Sequence, residues 1–145
     1  MIRGFTILEL IVVLALTSIL AGMSALAYQA MRPALNLSMA ARQVVMDLKV
    51  ARVRAVTEHV TRRVRFAAGG DAYQHQRQAG SAYSDDGAPV HLPPGIVVRD
   101  CTAADDAVSF RSRGNAGSFG TITLQNAAGG ARAIVVDIAG QVRMP

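Results

Sequence analysis

The sequence predicts an α+β chain in which one long N-terminal helix, half membrane anchor and half amphipathic, covers a β-rich remainder. Three observations point there. The stretch from Phe5 to Met31 is apolar or small and carries one charge, Glu9. Leu37, Ala41, Val44, Leu48, Ala51 and Ala55 then recur at three- and four-residue steps, the period of one helix face. From Val60 onward the apolar period falls to two, and glycine-rich turns punctuate it.

The first stretch is long enough to cross a bilayer core, which takes roughly 20 apolar residues. Met1-Ile2-Arg3-Gly4 precedes it as a short basic leader, and this order differs from a secretory signal, whose cleavage site follows the apolar run. Arg3 and the starting amine favour a cytoplasmic N-terminus with the bulk of the chain exported. A carboxylate inside such a span costs roughly 2.5–3.5 kcal/mol, so Glu9 needs a reason. Two readings stand. In one, Glu9 lies near the membrane surface and snorkels. In the other, cleavage after Gly4 gives Phe5 a free amine, and the amine of one subunit neutralises Glu9 of its neighbour inside a helical bundle.

Tyr28-Gln29-Ala30-Met31-Arg32-Pro33 leads out of the apolar run, and the proline predicts a kink or short break. The helix then resumes to about His59. Its apolar stripe faces a sheet, and Arg42, Asp47, Lys49, Arg54 and Glu58 occupy the opposite, solvated side. The boundaries expected are 1–4 for the leader, 5–31 for the transmembrane half, 32–59 for the amphipathic half and 60–145 for the β-rich domain.

Within that domain Val60 to Phe66 alternates as a first strand, with Phe66 inward and Arg63 and Arg65 on the opposite face. Arg62 falls on the apolar side near the strand start. Ala72–Gln78, Gly95–Arg99 and Ala107–Arg111 read as further strands, with a turn at Asp85-Asp86-Gly87 and an irregular exposed loop from Asp100 to Asp106. Phe119–Gln125 and Ala131–Ile138 form a hairpin across Asn126-Ala127-Ala128-Gly129-Gly130, and Gly140 turns the chain into a last strand, Gln141–Met144. Phe66, Phe110 and Phe119 are assigned to the core.

Composition excludes several function classes. Among 145 residues there is one cysteine, Cys101, so an internal disulfide or a cysteine metal site cannot form, and its role stays open. His59, His75 and His91 have no metal-ligand spacing. Ser109, Ser112 and Ser118 sit in no nucleophile motif, and the Asp85-Asp86 and Asp105-Asp106 pairs lie in loops. Neither catalysis nor a cofactor is expected. The net charge of +5 comes almost wholly from arginine, with Lys49 the single lysine, and fits nucleic acid, anionic lipid or an acidic protein equally.

Gly4-Phe5-Thr6-Ile7-Leu8-Glu9-Leu10-Ile11-Val12-Val13-Leu14-Ala15 resembles the processing motif of type IV pilins and type II secretion pseudopilins. That resemblance implies cleavage after Gly4 by a prepilin peptidase, N-methylation of Phe5, and a role for Glu9 in subunit docking. It also implies a long helix packed on antiparallel sheet, a place in the bacterial inner membrane, and other pilins or pseudopilins as partners. Ala51-Arg52-Val53-Arg54-Ala55-Val56 is similar to a signature of H-type pseudopilins and FimT minor pilins, and Val108 to Gly114, Thr121 to Leu124 and Arg132 to Arg143 follow the same layout. Two functions follow from this likeness. One is a minor subunit of a type II secretion pseudopilus. The other is a minor pilin that binds DNA for uptake, as some FimT-type proteins do through arginines near a GRxR motif. Gly140-Gln141-Val142-Arg143 keeps the glycine and last arginine but replaces the first arginine with Gln141, which removes one phosphate contact. Arg111, Arg113, Arg132 and Arg143 are the candidate DNA-binding residues. Solvated surface charge accounts for them, and for Arg62-Arg63-Arg65, more simply.

Overall fold

In a computed structural model the chain is described from residue 6 to 145, so Gly4 and Phe5 lie outside the described residues. One helix, α1, runs Ile7–Thr57. Ten strands follow: β1 Arg62–Phe66, β2 Ala72–Ala79, β3 Ala82–Asp85, β4 Val90–His91, β5 Ile96–Cys101, β6 Ala107–Phe110, β7 Ala116–Ser118, β8 Gly120–Asn126, β9 Ala131–Val136 and β10 Val142–Arg143. The chain divides between Arg32 and Pro33 into two compact units.

From Ile7 onward the first unit is helix. Thr6 caps it, its Oγ1 accepting the Glu9 backbone N–H at 3.2 Å. Ile7, Leu8, Leu10, Ile11, Leu14, Ile19 and Leu20 all face outward, and the helix is long and apolar enough to cross a membrane, with a mean hydropathy of 2.4 over its most apolar 18 residues.

Of the kink or short break expected at Pro33, no break forms, and α1 passes through the proline as the single long helix expected. Proline removes one hydrogen bond, at a cost of about 3 kcal/mol. Burial of Leu37, Ala40, Ala41 and Val44 in the following turns outweighs that loss. The Asn126 amide also donates to the Pro33 carbonyl at 3.1 Å.

In the second unit, Leu37, Ala40, Ala41, Val44, Leu48, Ala51 and Ala55 of α1 enter the core. Four of the seven are alanine, so the helix axis lies close to the strands. All strand pairs are antiparallel and form two sheets. The first has the order β3-β2-β1-β6-β7, with β4 also on β2, and the second the order β10-β9-β8-β5. Val64, Phe66, Tyr73, Val108 and Phe110 point inward from the first sheet, and Ile96, Val98, Ile122, Leu124, Ile134 and Val136 from the second. β5 leaves the first sheet's neighbourhood to join the second, and backbone bonds from Gly69 to the Val98 carbonyl (2.7 Å) and from Val98 to the Gly70 carbonyl (2.8 Å) tie the sheets together.

Two expectations are corrected here. The segment Asp100–Asp106 is not an exposed loop throughout. A bulge between Val98 and Asp100 shifts the register by one residue, so Cys101 pairs with Ile122 and is buried, and a short 3-10 turn follows at Ala104–Asp106. Phe119 is not core: it is 50% exposed. Its parity is that of Thr121, while the alternate positions Ile122 and Leu124 take the inward face.

Candidate functional site

Glu9 is the one candidate of the processing and assembly set that the structure describes, and its side chain is exposed on the first turn of α1. Thr6-x-x-Glu9 has the spacing of a capping box, and a carboxylate at that position also complements the positive end of the helix. Local chemistry therefore tolerates Glu9 at the helix start. It leaves the carboxylate outward, available to a second chain.

The candidate DNA-binding arginines are all exposed, and they occupy different places. Arg111 borders a polar depression with Thr61, Gln78, Tyr83 and Ser109 beside the first sheet. Arg113 lines a separate depression against Val53 and Val56 of α1. Arg132, the second residue of β9, is on the same face as Ile134 and Val136, and it lines a hollow with Ser38 and Arg42 of α1. Arg143 pairs with Val135, whose side chain is on the other face of β9, and donates to the Gln141 side chain at 2.6 Å. Arg132 and Arg143 thus project from opposite faces of one sheet.

The Arg62-Arg63-Arg65 cluster also separates. Arg63 stacks over the Tyr83 ring, 3.8 Å from its centroid, and donates to Gln76 at 2.7 Å. Arg62 is buried as its strand position requires, between Glu58 and Asp86, with Arg54 also 3.8 Å from Asp86. Burial opposes the Arg62 charge, but the bonds from Glu58 and Asp86 more than offset it, so the guanidinium is held charged more firmly than usual. The Arg62 hydrogen bond in turn holds the Asp86 carboxyl below its ordinary range.

A second polar group lies nearby. The Tyr73 hydroxyl donates to Asp47, Gln43 donates to Tyr73 at 3.3 Å, and His75 Nε2 stands 3.9 Å from Asp47. Burial, reinforced by Asp47, pushes the Tyr73 hydroxyl pKa up. Burial pushes His75 down, with Asp47 opposing. Asp47 and Glu58, expected on a solvated face, are therefore partners of the β-domain.

Arg52 was not singled out by sequence reasoning, although it sits in the Ala51–Val56 signature. Its Nε donates to the Gly114 carbonyl at 2.8 Å and its guanidinium reaches the Ala139 carbonyl at 3.4 Å, so one side chain pins two turns to α1. Gly140 lies against the same place with φ +75°, and a Cβ there would overlap the Gly114 oxygen. Among the described residues no group of three or more His, Cys, Asp or Glu side chains is placed to hold a metal. Burial also raises the Cys101 thiol, which is inert packing rather than a reactive group.

Comparison with known proteins gives the following. The family described as Type II transport protein GspH matches residues 40–140, and the prokaryotic N-terminal methylation motif matches residues 1–25. Among solved structures, the minor pseudopilin EpsH from the type 2 secretion system of Vibrio cholerae superposes with a TM-score of 0.62 at 12% identity, over 76% of this chain and 96% of its own. The type IV minor pilin FimU of Pseudomonas aeruginosa does so with 0.58 at 14% identity, over 75% and 87%. These likenesses establish a pilin-like fold. No curated protein sequence matches the chain.

Proposed function

Because the chain belongs to the GspH family of type II transport proteins, we propose that it is a minor pseudopilin of a type II secretion system. In this reading a prepilin peptidase cuts after Gly4 and methylates Phe5. The apolar helix holds the subunit in the inner membrane with its β-domain in the periplasm until assembly. Glu9 then meets the new amine of a neighbour. The work of the protein is structural: it takes a place in a filament with other pseudopilins.

The single observation that carries this is the conjunction, on one chain, of the methylation motif at residues 1–25 with the GspH match at 40–140. The test is the mass of the mature chain in cells with a prepilin peptidase. Loss of the four-residue leader plus one methyl group is expected, and Gly4→Val should abolish both. An unchanged mass for the parent chain refutes the reading. Glu9→Ala should insert in the membrane normally yet be excluded from filaments, and normal incorporation would refute the role given to Glu9.

A second reading, a DNA-binding minor pilin, draws on the exposure of Arg111, Arg113, Arg132 and Arg143 and on the shared fold with FimU. It predicts micromolar DNA binding that weakens steeply with salt and falls in Arg143→Ala. Absence of binding at low salt leaves the pseudopilin reading alone.

A further inference from the structure

The outer face of the first sheet holds an open depression of about 350 Å³, walled by Thr61, Gln78, Tyr83, Ser109, Arg111 and Ser112. Strand register explains the gathering. Gln78 pairs with Tyr83 on one side, and on the other its backbone N–H donates to the Thr61 carbonyl. Arg62 pairs with Phe110, so Thr61 and Arg111 stand opposite each other one step further on. Tyr83, Gln78, Thr61 and Arg111 therefore form one row across four adjacent segments, on the face away from Val64 and Phe66. Ser109 lies in the next row, paired with Arg63.

Two observations point to a ligand. Ser109 is only 8% exposed and lines the depression, yet its hydroxyl has no hydrogen-bond partner among the described residues. Buried hydroxyls are ordinarily paired, so one left open to a hollow is a donor in wait. The second observation is Gly117 of β7. A Cβ there would meet Ser109 Oγ at 2.8 Å and Arg111 Nε at 3.3 Å, so the missing side chain lets hydroxyl and guanidinium share one spot. Arg111 forms no ion pair among the described residues, and no acidic residue lines the depression. Asp85, on the same face in the row of Ser109, accepts the Gln76 amide at 2.7 Å.

We propose that this depression binds a phosphate group, free or carried on a small ester. Arg111 supplies the charge, and the hydroxyls of Ser109, Ser112 and Thr61 supply further donors. These donors come from β6, from the turn beyond it and from the residue before β1, which suits a tetrahedral anion better than a planar carboxylate. Gln78 and Tyr83 line the remaining space, where the substituent of an ester would lie. The site involves neither Glu9 nor α1, so it stands apart from the reading of the protein as a filament subunit.

The experiment is calorimetric titration of the full chain in non-ionic detergent with inorganic phosphate and with glycerol phosphate, against sodium acetate at matched ionic strength. Binding of phosphate at about millimolar Kd is expected, from a few charge-assisted hydrogen bonds less the cost of association. Tighter binding of glycerol phosphate identifies an ester as the source, and equal binding identifies the free ion. Arg111→Met and Ser109→Ala should each weaken binding about tenfold or more. Ser109→Ala should do so without lowering Tm, because the hydroxyl it removes has no partner in the fold. Arg99→Ala, an equal loss of charge on an exposed position of β5, should bind as the parent does. No phosphate binding up to about 20 mM, roughly 20 times that Kd, overturns the proposal. So does equal binding of acetate, or an equal loss in Arg99→Ala. Competition by a short DNA duplex that disappears in Arg111→Met would overturn it in favour of a nucleic-acid contact.

Discussion

Replacing Gly140 by alanine adds one methyl group at the point where the last turn of the β-domain meets α1. Gly140 holds φ at +75°, a conformation that costs an L side chain about 1–2 kcal/mol. The new Cβ would overlap the Gly114 oxygen, so one of the two turns must move. That oxygen accepts the Arg52 Nε–H at 2.8 Å, and a hydrogen bond to a charged group contributes about 1.5–3 kcal/mol. Together these give a destabilisation of about 3–5 kcal/mol. For a domain of this size each kcal/mol lowers Tm by about 3–6 °C, so a drop of about 9–30 °C is expected. The assay is thermal unfolding followed by far-ultraviolet circular dichroism, with Arg52→Met beside it as the variant that removes the hydrogen bonds and leaves the backbone free. Arg52→Met should show the smaller drop, and the double variant should lose less than the sum because both changes break the same bond. A Gly140→Ala chain that melts within about 3 °C of the parent would refute the close-approach argument.

Stability should fall as pH drops below about 6.5, because burial depresses the folded-state pKa of His75 below its value of 6.5 in the unfolded chain. The loss grows until pH passes the folded pKa, and His75→Gln should flatten the Tm profile between about pH 7 and 5. Arg62→Met should cost only about 1 kcal/mol in chemical denaturation, since Glu58 and Asp86 are partly exposed and can take up water once freed. The Glu58→Ala/Asp86→Ala pair, which leaves the buried guanidinium unpaired, should cost about 3 kcal/mol or more, and equal losses would contradict the assignment. Phe119→Ser should change Tm by no more than about 2 °C, given its outward position.

Where the period of apolar residues was regular, the sequence was a sufficient guide. Leu37, Ala41, Val44, Leu48, Ala51 and Ala55 are all core, and the β8–β9 hairpin closes across the expected turn. What pattern did not show depends on pairing and packing with distant segments, apart from Phe119, which its strand parity alone puts outside the core. Pro33 stays helical because Asn126 and the packing beyond it hold the turn. Cys101 is buried because a bulge two residues earlier shifts its parity. Short β3, β4 and β7 take their strand conformation from the ladders of β2 and β6, with little apolar pattern of their own. The helix face read as solvated held two features that pattern alone conflates. Asp47 and Glu58 turn toward the β-domain, and Met39, Met46, Val50 and Val53 stay outside.

The Gly140–Arg143 stretch shows how a motif can persist for a reason unrelated to a ligand. Gly140 is fixed by its left-handed backbone and by contact with the Gly114 carbonyl, whether or not the protein ever meets DNA. Its presence therefore carries no weight for DNA uptake, and only the side chains after it do. Gln141 contributes no charge and accepts the Arg143 guanidinium at 2.6 Å. Arg143 is exposed on a two-residue edge strand, so Arg143→Ala should leave Tm within about 2 °C of the parent. The two positions separate the readings. Gly140→Ala would abolish DNA binding merely by unfolding the turn, whereas Arg143→Ala reports on phosphate contact in an intact fold. If the parent chain binds DNA, one lost phosphate contact in Arg143→Ala should lower the salt slope by about one unit. A slope unchanged by Arg143→Ala would place any DNA contact elsewhere and remove the last support that the motif gives to a nucleic-acid partner.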